Sequence, residues 1–486
     1  MIIATKTNSI KFNSLPFCKG IIFFFFLIAI TFTTHTQAQS VTTNIENAIK
    51  KLQADSFLKH ASISLYVVNS QTNEVVYDLN SQLGLTPASC EKIITSVTAF
   101  ELLGKDFRYK TELGYNGAIK NGTLKGNITI KGYGDPTLGS WRYPLTRDTV
   151  LLPKWIAEIK KIGIKKIKGS INIDNSAFSM QPVPNGWLWE DIGNYYGAAS
   201  WAVNWHENQF DLQLKPGEKE GEFASIVSTK PDVSDVEWIN EVKTGKSNEA
   251  DDAYIFLAPY SHKGIITGTI PAGEKNTTLA GANPNPTITI SSLLAKSIKD
   301  SAIDCKTCGN VLATNEKYGK EPITNFYTHY SPSLDSINYW FLKKSVNLYG
   351  EALLKSISYM KIGLGSTQQG IKLVKQFWLD KGIDKSALNI KDGSGLSPQT
   401  KITTHSLVTV LQYARYKPWF TSFSNALPIY NGMKLKSGTM SATKGFAGYH
   451  TSKAGINYTI VFIINNFEGS SQEMVKKMFL VLDELK

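Results

Sequence analysis

Four cysteines and seven histidines in 486 residues leave little material for a metalloprotein. His60, His206, His262, His329, His405 and His450 stand singly, without the spacing of zinc ligands. The chain has no His-Glu-x-x-His pair, no Gly-x-Ser-x-Gly elbow and no phosphate-binding loop of the Gly-x-x-x-x-Gly-Lys type. No element combines clustered arginines with an aromatic platform, and the lysines are scattered, so nucleic acid is not an expected partner. The apolar run Ile21 to Phe32 is twelve residues, short of the roughly twenty that a membrane-spanning helix needs. No repeat period or low-complexity tract stands out.

What is present begins with that run. Lys6, Lys11 and Lys19 precede it and the small-residue site Thr36-Gln37-Ala38 follows it, the layout of a secretory signal peptide cleaved near Ala38. Cys18 lies before the run, where a lipoprotein cysteine would have to follow it, so no lipid anchor is expected. The chain carries 52 basic and 40 acidic side chains; without the three leader lysines this is 49 against 40, a net charge of +9. Such a protein feels anionic envelope polymers and lipid head groups, giving at most a weak association with the membrane surface. Export also predicts a short disulfide in Cys305-Lys306-Thr307-Cys308, with a metal or redox site as the alternative.

The hydrophobic periodicity divides the rest. A helix (41–55) and a hairpin (62–69 and 74–78) lead to a helix after Thr86-Pro87. From 104 to 324 short alternating strands are broken by Gly, Asn and Pro turns, with helices only at 152–162 and 290–303. Helices return over 333–359, 368–380 and 404–413, then strands over 433–437, 447–453 and 456–465, and a last helix over 471–485. That helix carries Met474, Met478, Val481 and Leu482 and is read as packing on a sheet rather than on lipid, because Glu473, Asp483 and Glu484 suit lipid poorly. The expected divisions are a leader (1–39), a first part of one domain (40–103), a β-rich insertion (104–324) and the second part of that domain (325–486).

Three short motifs carry chemistry. Pro87 suits a helix entry, and Ile93, Ile94, Val97 and Phe100 recur at helical spacing, so Ser89 and Lys92 fall one turn apart. A serine hydroxyl becomes a nucleophile when a neighbour takes its proton, and a lysine does so once its pKa is lowered. The same Ser-x-x-Lys spacing occurs at Ser56/Lys59, Ser358/Lys361 and Ser441/Lys444, so the spacing alone does not select Ser89. Order does: Ser345-Val346-Asn347 follows 256 residues later, within the expected helix from Ser333, and Lys436-Ser437-Gly438-Thr439 follows at the end of a strand. Ser-x-x-Lys, Ser-x-Asn and Lys-(Ser/Thr)-Gly, in that order, form the signature of penicillin-recognising serine acyl transferases. Ser336-Ile337-Asn338 is a rival second motif. Cys90, about 100° around the helix from Ser89, is read as a packing residue.

Together with Gly132-Tyr133-Gly134-Asp135-Pro136-Thr137-Leu138, Leu348-Tyr349-Gly350-Glu351-Ala352 and Asp392-Gly393-Ser394-Gly395-Leu396-Ser397, these motifs resemble the class C low-molecular-mass penicillin-binding proteins. These are the D-alanyl-D-alanine carboxypeptidase/endopeptidases of the penicillin-binding protein 4 type. Ser437 departs from the threonine more usual there but keeps the hydroxyl. The resemblance implies an α+β fold: a penicillin-binding/β-lactamase-like domain, an antiparallel sheet flanked by helices, with a large β-rich insertion. It implies a periplasmic enzyme that acts on peptidoglycan stem peptides through an acyl-enzyme on Ser89, is inhibited by β-lactams, and needs no metal or cofactor. Lys92 would be the base, helped by Lys436; Ser345 would relay a proton and Asn347 orient Lys92 and substrate. Ser437, Gly438 and Thr439 would bind substrate, and the N–H groups of Ser89 and Thr439 would form the oxyanion hole. Asp135 is expected in a turn, with a substrate contact as the alternative; the Gly-rich run Asp392 to Ser397 reads as a turn that the resemblance implies lies near the site, and it receives no catalytic role. The rival readings are a serine β-lactamase and an inactive peptidoglycan-binding homologue.

Overall fold

A computed structural model describes residues 40–486 apart from 249, 274, 309–310 and 315–321. The expected leader, with Lys6, Lys11, Lys19 and the 21–32 run, lies outside the described residues. The framework is one six-stranded sheet, antiparallel throughout, whose strands in pairing order are Val75–Leu79, Ser62–Asn69, Asn457–Asn465, Thr443–Thr451, Met433–Met440 and Ile429–Tyr430. Its strands come from both ends of the chain: β1 (Ser62–Asn69) and β2 (Val75–Leu79) from the start; β3 (Ile429–Tyr430), β4 (Met433–Met440), β5 (Thr443–Thr451) and β6 (Asn457–Asn465) from the end.

Period-two alternation divides the central strands between two cores. Ile63, Leu65 and Val67 of β1 join Ile460, Phe462 and Ile464 of β6 on one face. That face is covered by helix α1 (40–53), through Ile45, Ile49 and Leu52, and by helix α8 (Ser471–Leu482), through Met474, Met478, Val481 and Leu482. Tyr66 and Val68 join Val461 and Ile463 on the other face, against helices α2 (Lys92–Leu103) and α6 (Thr404–Arg415). Since both faces are covered, β6 is buried without interruption from Tyr458 to Ile464. The C-terminal helix therefore uses its apolar face on the sheet.

Helix α2 is the centre of the molecule, with every residue from Lys92 to Phe100 buried. Around it stand α3 (Leu334–Lys343), α4 (Asn347–Ile362), α5 (Thr367–Leu379) and α7 (Phe420–Ala426). The single helix expected over 333–359 is two helices. Ser345 has φ +58, a left-handed conformation that interrupts the ladder, and the extended Val346 caps α4. Ser345-Val346-Asn347 thus forms a corner between helices, not a helical face.

The β-rich block closes on itself. Strand Lys110–Tyr115 leads into it, and Thr324–Tyr330 leads out beside that strand, paired antiparallel. Its five-stranded sheet and the helices Asp148–Lys161 and Pro286–Asp300 share one core (Trp155, Ile173, Leu294). A second unit runs from strand Gln209–Lys215 to strand Thr277–Ala282 around Phe210, Leu212 and Ile255. Cys305 and Cys308 are disulfide-bonded.

Candidate active site

Ser89 lies on a 3-10 turn, Ala88–Glu91, that runs straight into α2, so the serine stands at the mouth of the helix and Lys92 at its first position. Ala88 has φ +45, a strained conformation for a side chain with a Cβ. Neighbouring backbones clamp it. A Cβ on Gly395 would lie 2.1 Å from Ala88 O, and one on Gly438 2.3 Å from Pro87 O. Glycine at those two places lets the 392–397 loop and strand β4 close on the serine from opposite sides.

Lys92 is fully buried, and its Nζ donates to three oxygens: Ser89 Oγ at 2.9 Å, Asn347 Oδ1 at 2.6 Å and Ser394 O at 2.6 Å. Asn347 Nδ2 donates to Tyr196 O at 2.8 Å, which turns the amide so that its oxygen faces Lys92. Burial, followed by the Lys436 ammonium, pushes the Lys92 amine down to about 7; the carboxyls of Asp392, Glu351 and Glu91 pull the other way. Glu91 and Glu351 are themselves raised, first by burial and then by Asp392 beside them. Burial lowers Lys436 to about 8, with Lys444 adding to the effect and Cys90 opposing it.

Ser89, Ser345, Asn347, Ser437 and Thr439 line a cleft of about 890 Å³. Ser437 Oγ donates to Tyr430 Oη at 3.2 Å. Lys436 is 1% exposed, and its Nζ donates to Ser437 O at 2.7 Å. Gly438 supplies the close approach described above. Five of the eight residues expected at the site from sequence line this cleft, and the other three stand behind its wall: Lys92 bonded to Ser89 and Asn347, Lys436 to Ser437, and Gly438 against the 87–90 turn. Ser336 and Asn338 do not: Asn338 is buried in α3 and accepts from Ser96 Oγ at 2.6 Å. Cys90 is buried, its thiol is pushed up to about 11 by burial, and its Sγ donates to Lys436 O at 3.4 Å, so it packs. Asp135 is buried in a turn, accepting from Thr137 N and Oγ1.

Two contributors escape the sequence motifs. The Ser394 carbonyl holds Lys92, and the loop that carries it is anchored by Asp392, which accepts from the N–H groups of Gly395, Leu396 and Ser397 and from Trp187 Nε1. The Gly-rich run is legible as a turn, but a backbone acceptor leaves no residue signature. The other is Lys444, 9% exposed, whose Nζ donates to Thr439 Oγ1 at 2.6 Å.

A serine held against a buried lysine whose amine is lowered by burial, on a helix-covered antiparallel sheet, has the geometry that serine–lysine acyl transfer requires. The profile of the D-Ala-D-Ala carboxypeptidase 3 (S13) family matches residues 45–485, and the chain belongs to that family of peptidases. It is 25% identical to the D-alanyl-D-alanine carboxypeptidase DacB of Haemophilus influenzae over 477 residues, covering 94% of this chain and 95% of the relative. It is 26% identical to a D-alanyl-D-alanine carboxypeptidase of an Actinomadura species, over 84% of this chain and 78% of the relative. The fold matches the crystal structure of penicillin binding protein 4 from Haemophilus influenzae with a TM-score of 0.77 at 23% identity, over 91% of this chain and 99% of that one.

Proposed function

We propose that the cleft is the active site of a serine D-Ala-D-Ala carboxypeptidase/endopeptidase that cuts peptidoglycan stem peptides through an acyl-enzyme on Ser89. The hydrogen-bond pattern at Lys92 carries this reading. Asn347 Oδ1 and Ser394 O can only accept, so they take two N–H bonds of the amine in either protonation state. A neutral lysine has one lone pair left, and the remaining neighbour is the Ser89 hydroxyl. Loss of the Lys92 proton therefore reverses that hydrogen bond and aims the lone pair at the serine proton. Ser89 Oγ then attacks the carbonyl of the D-Ala-D-X bond as Lys92 takes its proton, and Ser345 passes a proton to the leaving amine.

Lys436, with the hydroxyls of Ser437 and Thr439, holds the substrate's terminal carboxylate, and Asn347 orients both Lys92 and the substrate amide. The N–H groups of Ser89 and Thr439 receive the oxyanion; losing one such donor costs about 3 to 4 kcal/mol of transition-state stabilisation. Catalysis belongs to 40–103 and 325–486, and the 104–324 block supports it. β-Lactams acylate Ser89 as substrate mimics; a β-lactam complex of the Haemophilus influenzae relative supports this. The leader pattern supports an exported, periplasmic protein, with the basic net charge favouring weak contact with the membrane surface. No helix among the described residues is long and apolar enough to cross a membrane.

Labelled penicillin acylates the purified protein, and Ser89→Ala removes the label; a Ser89→Ala protein that still labels overturns the assignment. Release of D-alanine from a pentapeptide, followed by mass, reports the peptidase reaction directly.

A further inference from the structure

A second cavity of about 960 Å³, as large as the catalytic cleft, opens on the other side of a thin partition. The partition consists of two short segments. Asn185 and Gln399 line the second cavity, while Leu188, Leu396 and Pro398, one to three residues away in the chain, line the catalytic cleft. Ser397 Oγ donates to Gly186 O at 3.0 Å and ties the segments together. The two cavities therefore share a wall, and a polymer threading the cleft passes within reach of the second cavity.

The second cavity is cationic. Lys372 and Lys375 face it from α5, and Lys385 and Lys391 from the chain that follows, with no acidic residue in its lining. None of the four forms an ion pair among the described residues. The nearest acids in sequence are engaged elsewhere: Asp380 accepts from Gln376 Nε2, Asp384 from Ser386 N and Oγ, and Asp392, next to Lys391, from the N–H groups of its own loop and from Trp187 Nε1. Lys375 and Lys391 are half-buried, Lys372 and Lys385 exposed. Lys375 is lowered by burial and then by Lys385 and Lys391, a mutual repulsion that an anion in the cavity relieves.

We infer that this lysine-lined cavity is a carboxylate-binding subsite that holds an acidic stem peptide of the same peptidoglycan strand while its neighbour occupies the catalytic cleft. The inference rests on the peptidoglycan reading of the cleft. The shared wall favours a segment of the substrate polymer over an unrelated anion. The subsite would raise the local concentration of cleavable ends without touching the reacting atoms.

The test is cosedimentation of the Ser89→Ala protein, which leaves the polymer intact, with isolated peptidoglycan stripped of phosphate polymers. A second arm uses the same material with its carboxyl groups amidated. Adding Lys375→Gln and Lys391→Gln is expected to weaken binding roughly fivefold to tenfold. Amidation is expected to bring the parent to the same level. Equal binding by parent and variant, no binding by the parent, or a difference that survives amidation each overturns the proposal. Displacement of the parent by millimolar inorganic phosphate, with amidation having no effect, overturns it in favour of a phosphate site. Penicillin labelling in the Ser89 background checks folding; if the double variant does not label, the single variants are read in the same way. If the unsubstituted protein does not label either, the catalytic reading fails, while the sedimentation result still decides the cavity.

Discussion

Lys92 and Lys355 are both wholly buried, and burial pushes both amines down to about 7. Their hydrogen-bond partners differ in one respect. Lys355, on α4, donates to Gln181 O at 3.0 Å, Pro182 O at 3.2 Å and Ser200 O at 2.7 Å, three carbonyls of the inserted block that can only accept. Those carbonyls use every N–H of an ammonium and leave no place for a lone pair, so they favour the charged form that burial opposes. Lys92 has two such acceptors and one hydroxyl. A depressed pKa alone does not distinguish a base from a structural cation; the third neighbour does. Lys92 keeps one exchangeable partner, whereas Lys355, at the contact between α4 and the insertion, keeps none.

The widest separation between the two is expected when each is replaced by methionine. Lys92→Met lowers the penicillin acylation rate by roughly a thousandfold or more, with the protein still folded. Lys355→Met leaves three buried carbonyls unpaired and lowers unfolding stability by about 2–4 kcal/mol, while the folded fraction acylates within a few-fold of the parent rate. Denaturant titration and stopped-flow acylation measure the two effects. A Lys355→Met protein that is stable but slow would break the comparison.

Asn347→Asp sharpens it next. A carboxylate beside Lys92 favours the ammonium, so the ascending limb of acylation against pH, expected near pH 7 in the parent, moves up by about one unit. The rate at pH 7 then falls about fivefold, because the deprotonated fraction drops from about one half to about one eleventh. An unmoved limb means that Lys92 is not the group whose deprotonation starts the reaction.

The pH dependence of stability follows with a smaller effect. A lysine whose folded pKa is depressed from 10.5 to about 7 binds its proton in the unfolded chain but not in the folded one between those values. Stability therefore rises with pH across that window, by at most about 1.4 kcal/mol per unit for each group, and the penalty is fully present below it. Lys92→Met flattens the rise measured between pH 7 and 10. Lys355→Met leaves it in place if the three carbonyls keep that lysine charged, so equal flattening by both variants would remove the distinction.

The sheet built from both ends of the chain can be read from sequence because strand alternation and helix periodicity are local properties. The chemistry-bearing motifs are legible for the same reason: each spans four residues or fewer. The break at Ser345 is not, because Ser-Val-Asn continues a helical apolar pattern and serine carries no preference for the positive φ it adopts. Lys355 is silent for another reason. Its acceptors are backbone carbonyls 155 to 174 residues away, and carbonyls are common to every residue. Lys444 appears in the sequence only as part of an accidental Ser-x-x-Lys match. Its place follows from hairpin register: Met440 pairs with Thr443 around Ser441-Ala442, which sets Thr439 opposite Lys444. Reading the first late strand as ending at Ser437, three residues short of Met440, hides that pairing.

Lys444 is the intermediate case between the two lysines, and the smallest effect belongs to it. Among the described residues its Nζ has one hydrogen-bond acceptor, Thr439 Oγ1, and burial lowers its pKa. By donating to that hydroxyl, Lys444 obliges Thr439 to direct its own proton elsewhere, and Thr439 lines the cleft where the substrate carboxylate is expected. Lys444→Met frees the hydroxyl to rotate and is expected to raise KM for a D-Ala-D-Ala peptide about threefold to fivefold at nearly constant kcat. Lys444→Arg, which keeps a donor, restores KM. A fall in kcat with KM unchanged would place Lys444 with Lys92 as a participant in the chemistry; loss of stability alone would place it with Lys355.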